Sequence, residues 1–234
     1  MPDRSSPTVP SPQTTAAQDY LKVIWGLQEW SDEPVTTSAL AAKLDLAAST
    51  VSEGVKKLAA QGWVTHRRYG SIELTPTGRQ YAVAFVRRHR LIETFLADVL
   101  GYAWDEVHEE AEALEHAVSD TFIDRLSQRL GHPSHDPHGD PIPRPDGTLD
   151  PMPAATLRTV ELGRAVRVVR VSDSNPDLLR YLTDLGVELG LRLQVQQRET
   201  FAGTLTVLLD GGDPRPVIMG LPVADAIFVV PETG

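Results

Sequence analysis

The sequence predicts a mainly α chain that ends in a small β domain. Three observations predict it. Apolar residues recur at helical spacing through most of the stretch from about Thr15 to Gly131, prolines crowd the stretch from His132 to Pro153, and the apolar period falls to about two beyond it. The 234 residues are enough for two or three small domains, each with its own core.

Residues 1–13 carry Pro2, Pro7, Pro10 and Pro12 among Ser and Thr and lack the apolar content to order themselves, so they read as a disordered arm. A helix is expected from about Thr15, with Ala17, Tyr20, Leu21, Ile24 and Leu27 on its apolar stripe and Asp19 on its first turn. A short helix from Ser38 to Leu44, capped by Thr37, follows the turn at Ser31-Asp32-Glu33-Pro34. Asp45-Leu46-Ala47 then turns the chain into a second helix, Ala48 to Ala60, which Gly62 closes.

Two helices joined by a three-residue turn form the helix-turn-helix unit, whose second helix enters the DNA major groove. Val51, Val55 and Leu58 would bury inward. Ala47, Ser49, Thr50, Ser52 and Glu53 would face DNA, the small residues allowing close approach and Glu53 able to accept from a cytosine amino group. Trp63-Val64-Thr65 and Ile72-Glu73-Leu74 make a hairpin wing through Arg67 and Arg68, which with Lys56 would supply phosphate contacts. The bland alternative, an αα-hairpin in some other helical core, does not require a basic wing.

Thr75-Pro76-Thr77-Gly78 opens a long helix, with Thr75 as cap, that runs to about Leu100 and is broken by Gly101. Trp104 to Val118 reads as the next helix, and Ser119 caps a third that ends at Gly131. Phe85, Leu91, Ile92, Phe95, Leu96, Leu114, Phe122 and Leu126 offer more apolar surface than three helices need, which points to a homodimer.

These helices carry metal-type ligands: His89-x-x-x-Glu93 on the first, and His108-x-x-x-Glu112-x-x-Glu115-His116 on the second. At about 100° per residue, positions 108, 112, 115 and 116 share an arc of roughly 100°, while Glu106, Glu109 and Glu110 point elsewhere. One or two divalent-cation sites would use such a set; a solvated acidic helix with weak His–Glu pairs is the plainer alternative.

From His132 to Pro153 seven prolines mark a linker; its His132, His135 and His138 could in principle bind metal, but they lie on chain that does not preorganise ligands. Strands follow at Ala165–Val171, Leu191–Val195, Thr204–Leu209 and Ala226–Val230, with a helix from Pro176 to Leu185 and a turn at Asp210-Gly211-Gly212. Short strands with tight turns predict an SH3-like barrel. The domains are therefore a disordered arm (1–13), a winged helix-turn-helix DNA-binding domain (14–83), a helical metal-binding and dimerisation domain (84–131), a proline-rich linker (132–158) and an SH3-like, FeoA-like domain (159–234).

Charge and composition agree with this division. The net charge is −10, yet Thr36 to Arg90 holds nine basic and three acidic residues, whereas Leu91 to Arg125 holds ten acids and one base. One segment suits an anion and the next suits cations. The chain has no cysteine, so a metal would meet only nitrogen and oxygen donors. No apolar run approaches 18 residues and no secretion signal opens the chain, so a soluble, cytoplasmic protein with no membrane partner is expected.

The order of parts, the stretch Leu74-Thr75-Pro76-Thr77-Gly78-Arg79, the segment Arg88-His89-Arg90-Leu91-Ile92-Glu93 and the pair Glu115-His116 resemble the diphtheria toxin repressor family of metal-dependent transcriptional regulators. The resemblance covers nearly the whole chain from about residue 17. It implies an ancillary metal site of His89, Glu93 and His108, with Asp173 the nearest match to the barrel's first ligand and the second, near Asn175 and Pro176, unassigned. It implies a primary site of Asp19, Glu112, Glu115 and His116.

Within that family, iron-responsive members place Met and Cys where this chain has Asp19 and Glu112, and manganese-responsive members place Asp and Glu there. Carboxylates favour hard Mn²⁺, whereas sulfur favours softer cations. Lys22 stands where manganese regulators with two close metals carry a further glutamate, which argues for two separated sites.

The expected activity is a homodimeric repressor of metal-uptake genes on a palindromic DNA operator, bound by one or two dimers, with Mn²⁺ as co-repressor. Fe²⁺, Co²⁺ or Zn²⁺ are the substitutes, and an iron- or zinc-dependent repressor is the runner-up. A di-metal carboxylate enzyme is disfavoured, because Glu-x-x-His does not occur on two helices and His108-Glu109-Glu110-Ala111-Glu112 lacks a second histidine.

Overall fold

The computed structural model describes residues 14–30, 33–66, 70–151, 155–210 and 214–232. The expected arm (1–13), the wing residues Arg67 and Arg68, and Gly211-Gly212 lie outside the described residues. The chain forms two compact units, one of residues up to Arg88 together with Pro143–Thr148, the other of His89–Ile142 and Leu149 onward.

The first unit begins with α1 (Thr15–Trp30), α2 (Thr37–Leu44) and α3 (Ala48–Ala60). The cap of α2 is Thr36 rather than Thr37: its hydroxyl accepts from the Ala39 amide at 3.1 Å. Asp45, at φ 51°, takes the left-handed conformation that turns α2 into α3, one that Asp tolerates better than most residues. Val51, Val55 and Leu58 of α3 are buried, as their spacing requires, with Tyr20, Leu21, Ile24 and Trp25 of α1. Strands β1 (Val64–His66) and β2 (Ile72–Leu74) pair antiparallel, Val64 opposite Leu74, and form the stem of the wing.

Helix α4 (Pro76–Leu100) starts where Thr75 caps it, its hydroxyl accepting from the Gly78 amide at 3.0 Å. A Cβ on Gly78 would sit 1.8 Å from the Trp63 carbonyl oxygen, so this start can press on the wing only with glycine.

In the second unit α5 spans Val107–Glu115 and α6 Asp120–Arg129. The expected helix from Trp104 to Val118 is thus shorter at both ends: 104–106 is a turn, and His116 is already the C-cap. Ser119 caps α6 as expected, accepting from the Phe122 amide. Leu91, Ile92 and Leu96 of α4 pack with Val107, Ala111, Ile123, Leu126 and Ile142, whereas Phe122 is exposed.

The proline-rich stretch does not behave as an unpacked linker. Asp136 and the whole run from His138 to Pro143 are buried, and Pro143–Thr148 belongs to the first unit, where the Arg87 guanidinium donates to the Pro143 carbonyl at 2.7 Å. Prolines here stiffen a packed segment whose carbonyls are satisfied by arginines, which composition alone does not distinguish from a loose one.

The C-terminal part carries β3 (Ala165–Val171), α7 (Pro176–Leu185), β4 (Arg192–Glu199), β5 (Thr204–Asp210), β6 (Arg215–Gly220), the one-turn α8 (Leu221–Asp225) and β7 (Ile227–Pro231). The five strands form one antiparallel sheet in the order β6-β5-β4-β3-β7. Val166, Val168, Leu193, Val195, Leu205, Val207 and Val229 alternate inward and close its core against Leu179 and Leu182 of α7. Strand β6 was not expected, because Pro216 interrupts its pattern; it lies at the sheet edge, where a missing N–H is tolerated.

Candidate metal centre and DNA-reading helix

The second unit gathers its ligand-type side chains around the buried face of α4. His89 and Glu93, one turn apart, are both buried. His89 Nε2 lies 2.9 Å from Glu93 Oε1, and its Nδ1 lies 2.7 Å from Glu115 Oε2 on α5. His108 places Nδ1 3.3 Å from Glu93 Oε1 and 3.6 Å from Asp173, just beyond the end of β3. The four expected ancillary residues, His89, Glu93, His108 and Asp173, are therefore brought to one place. Burial would raise the Glu93 carboxyl, but the charge of His89 and hydrogen bonds from His108 and His89 outweigh it and hold it well below the usual carboxylate range.

His138, on the proline-rich stretch not expected to preorganise ligands, lies here as well. His138 is fully buried, and with Glu93 and Asp136 it offers ligand atoms within 4.8 Å of one another. Its Nε2 donates to the Trp104 carbonyl at 2.7 Å, which leaves Nδ1 as the lone-pair nitrogen. That nitrogen is buried with no hydrogen-bond partner among the described residues, the condition expected of a metal ligand whose other nitrogen is oriented by a carbonyl.

The loop that aims His138 is tied down at several points. Asp136 Oδ1 accepts the amides of His138 and Asp140, both at 2.9 Å. A Cβ on Gly139 would meet the Val169 carbonyl oxygen at 2.1 Å, so the loop presses directly on β3. Arg90 donates to the Pro141 carbonyl at 2.8 Å, and Arg170 pairs with Asp140. Burial, reinforced by the nearby charges of Asp140 and Glu93, raises Asp136 well above the usual carboxylate range despite Arg90. The signal lay in Asp136-Pro137-His138-Gly139-Asp140: an Asp whose side chain bonds the backbone two residues on, followed by Gly, marks an ordered turn.

Glu112, Glu115 and His116 form a second set on the following helix, their ligand atoms within 4.8 Å of one another. Glu115 is buried, and its Oε1 lies 3.5 Å from His116 Nε2. Glu106, Glu109 and Glu110 turn away and line a separate open groove with Arg180, as their helical positions require. Asp19 is half-buried on α1 of the first unit. Both donor sets are all nitrogen and oxygen, which fits a hard or borderline divalent cation.

The DNA-reading candidates stand at the exposed end of α3. Ala47, Ser49 and Thr50 are exposed, and Ala47 precedes α3 without a side-chain cap, so the first amides of the helix face outward as donors suited to phosphate. Ser52 instead bonds back to the Ala48 carbonyl at 2.9 Å, and Lys56 pairs with Glu53 at 2.6 Å. That exposed pair holds the Glu53 carboxyl below its ordinary value, through the hydrogen bond and charge of Lys56.

Comparison with known proteins gives this arrangement its context. Residues 13–72 match the model of the iron-dependent repressor N-terminal DNA-binding domain, 75–144 that of the iron-dependent repressor metal-binding and dimerisation domain, and 155–231 that of the FeoA domain. The chain belongs to the diphtheria toxin repressor family. It is 33% identical to the iron-dependent repressor IdeR of Mycobacterium bovis over 204 residues, covering 82% of this chain and 87% of that one. It is 32% identical to the diphtheria toxin repressor of Corynebacterium diphtheriae, covering 83% and 88%. A solved structure described as a manganese-dependent transcriptional repressor in complex with manganese is 51% identical, with a TM-score of 0.89 over 92% of this chain and all of the other. Members of the family are metal-dependent, DNA-binding transcriptional repressors, and this repressor has both defining domains in the family's order. Among its described residues no helix is long and apolar enough to cross a membrane.

Proposed function

We propose that the protein is a homodimeric, cytoplasmic, Mn²⁺-activated repressor of metal-uptake genes that binds a palindromic operator. One observation carries the choice of metal: the donors expected in the primary site, Asp19, Glu112, Glu115 and His116, include three carboxylates and no sulfur. The manganese-dependent repressor that is 51% identical supports the same reading.

When bound, the cation supplies a positive charge that lets carboxylates from different elements share one point. The rest is the work of the chain. Without the cation, three like charges, those of Asp19, Glu112 and Glu115, would oppose such a gathering. With their charges balanced, α1 is held through Asp19 and the two α3 helices of a dimer are set about one helical turn of DNA apart. The buried residues around Glu93 and His138 bring α4, the 136–140 loop and Asp173 into one arrangement.

Operator binding titrated against Mn²⁺, Fe²⁺, Co²⁺ and Zn²⁺ at buffered free concentrations tests this reading. Activation is expected at Mn²⁺ levels where Fe²⁺ fails. The iron-dependent relatives at about a third identity make the opposite outcome meaningful: activation by Fe²⁺ where Mn²⁺ fails would replace manganese by iron.

A further inference from the structure

We infer that Tyr20 is the positioning residue that passes the state of Asp19 to the DNA-reading helix. The inference rests on the reading of Asp19 as a metal ligand. Asp19 and Tyr20 are neighbours on α1, so their side chains diverge by about 100°. The Tyr20 side chain is buried against α3, within the first unit.

The contact has an unusual closeness. A Cβ built on Gly54 of α3 would sit 2.6 Å from Tyr20 Cζ, 2.7 Å from its hydroxyl oxygen and 2.9 Å from Cε1. The ring therefore lies on the bare backbone of α3, with no side chain to absorb a displacement. Its hydroxyl donates to the Thr50 carbonyl at 3.5 Å, a long bond that caps the contact one turn earlier. Thr50 and Ser49 begin the exposed end of that helix.

Packing alone would not ask for this arrangement. Glycine inside a helix is less favourable than alanine, and Leu21 and Ile24 of α1 are already fully buried. What the glycine provides is a stiff seat for one ring. A force on Asp19 that rotates or shifts α1 moves Tyr20 in the same step, and α3 must follow the ring. The hydroxyl adds a polar end whose loss would leave the seat in place.

The test uses the full chain with Mn²⁺ as ligand and operator DNA as probe. Operator affinity is measured with chelator and with saturating Mn²⁺, and Mn²⁺ affinity is measured with and without operator, because the coupling must be the same in both directions. Gly54→Ala is expected to reduce the Mn²⁺-induced gain in operator affinity about 10-fold or more, within the usual 5–150-fold range of such couplings. Mn²⁺ affinity of the DNA-free protein should change less than about 2-fold on the same scale.

Tyr20→Leu, which removes the ring without crowding Gly54, should uncouple in the same way. Tyr20→Phe, which keeps it, should retain most of the gain. Thermal melting checks that each variant is folded; if Gly54→Ala is not, Tyr20→Leu against Tyr20→Phe decides alone. Equal loss of operator affinity with and without metal would mean that the contact is only structural and would overturn the inference. Should Asp19→Ala itself leave the Mn²⁺ gain intact, the ligand reading beneath the inference fails first.

Discussion

His89 Nδ1 stands 2.7 Å from Glu115 Oε2, so one imidazole joins the candidate ligands on α4 to those on α5. Its other nitrogen is 2.9 Å from Glu93, and all three side chains are buried. Two carboxylates that belong to different sets thus share one histidine, and a change at either is felt by the other.

His89→Ala leaves Glu93 and Glu115 buried without that partner. Removing one member of a buried charged pair typically costs about 3–5 kcal/mol. A loss of about that size is expected in urea melts of the chelated protein, with partial recovery on adding Mn²⁺. A chelated variant as stable as the parent would show that the bridge is not energetically important.

His138→Phe removes the nitrogen held ready by the Trp104 carbonyl. The phenyl ring fills most of the same space, so the protein should remain folded and bind one fewer Mn²⁺ per chain by calorimetry. Unchanged stoichiometry would exclude His138 as a ligand.

Exchanging donors should exchange metals. Asp19→Met together with Glu112→Cys replaces two hard oxygens by sulfur, and activation of operator binding should shift from Mn²⁺ toward Fe²⁺. An unchanged order of metals would mean that these two residues do not form the selective site.

The stability of the metal-free protein should depend on Asp136. Burial and its acidic neighbours raise its carboxyl well above the usual range, so the folded state binds a proton that the unfolded chain releases near pH 3.9. The resulting stability is fully present below that pH and is lost as pH rises through the raised value in the folded protein. Asp136→Asn mimics the protonated form. In chelator, urea midpoints of the variant should fall less than those of the parent on going to alkaline pH; parallel curves would contradict this.

Lys56 is exposed on α3 and should act through phosphate. Lys56→Ala is expected to weaken operator binding across sequences and to reduce the slope of log affinity against log salt by about 0.9. An unaltered slope would place Lys56 away from the DNA backbone.

The elements with a strong period were legible in the sequence: α3 and α7 have the expected bounds, and Thr75 and Ser119 cap the helices assigned to them. His89, Glu93, His108 and Asp173 converge because helical spacing fixes the first two and the end of β3 supplies the last. The place of His138 is not legible in the sequence, for a physical reason. Proline content reports that a segment is neither helix nor central strand, but not whether it packs. Here the packing comes from Arg90, Arg170 and β3, residues distant in sequence, which pin the loop through carbonyls and carboxylates. The shift of the α2 cap from Thr37 to Thr36 is a smaller case, since both threonines can cap and the choice is made by the turn of helix that follows.

The return of Pro143–Thr148 to the first unit, after more than 50 residues spent in the second, bears on how this protein can be taken apart or recombined. A fragment ending near Gly131 would look like a complete pair of domains by sequence, yet Arg87 would lose the Pro143 carbonyl and Val83 the neighbouring Gly147. The DNA-reading half is thus not a cassette with a single exit. It is sewn in twice, and exchanging it between relatives would require carrying the second stitch as well.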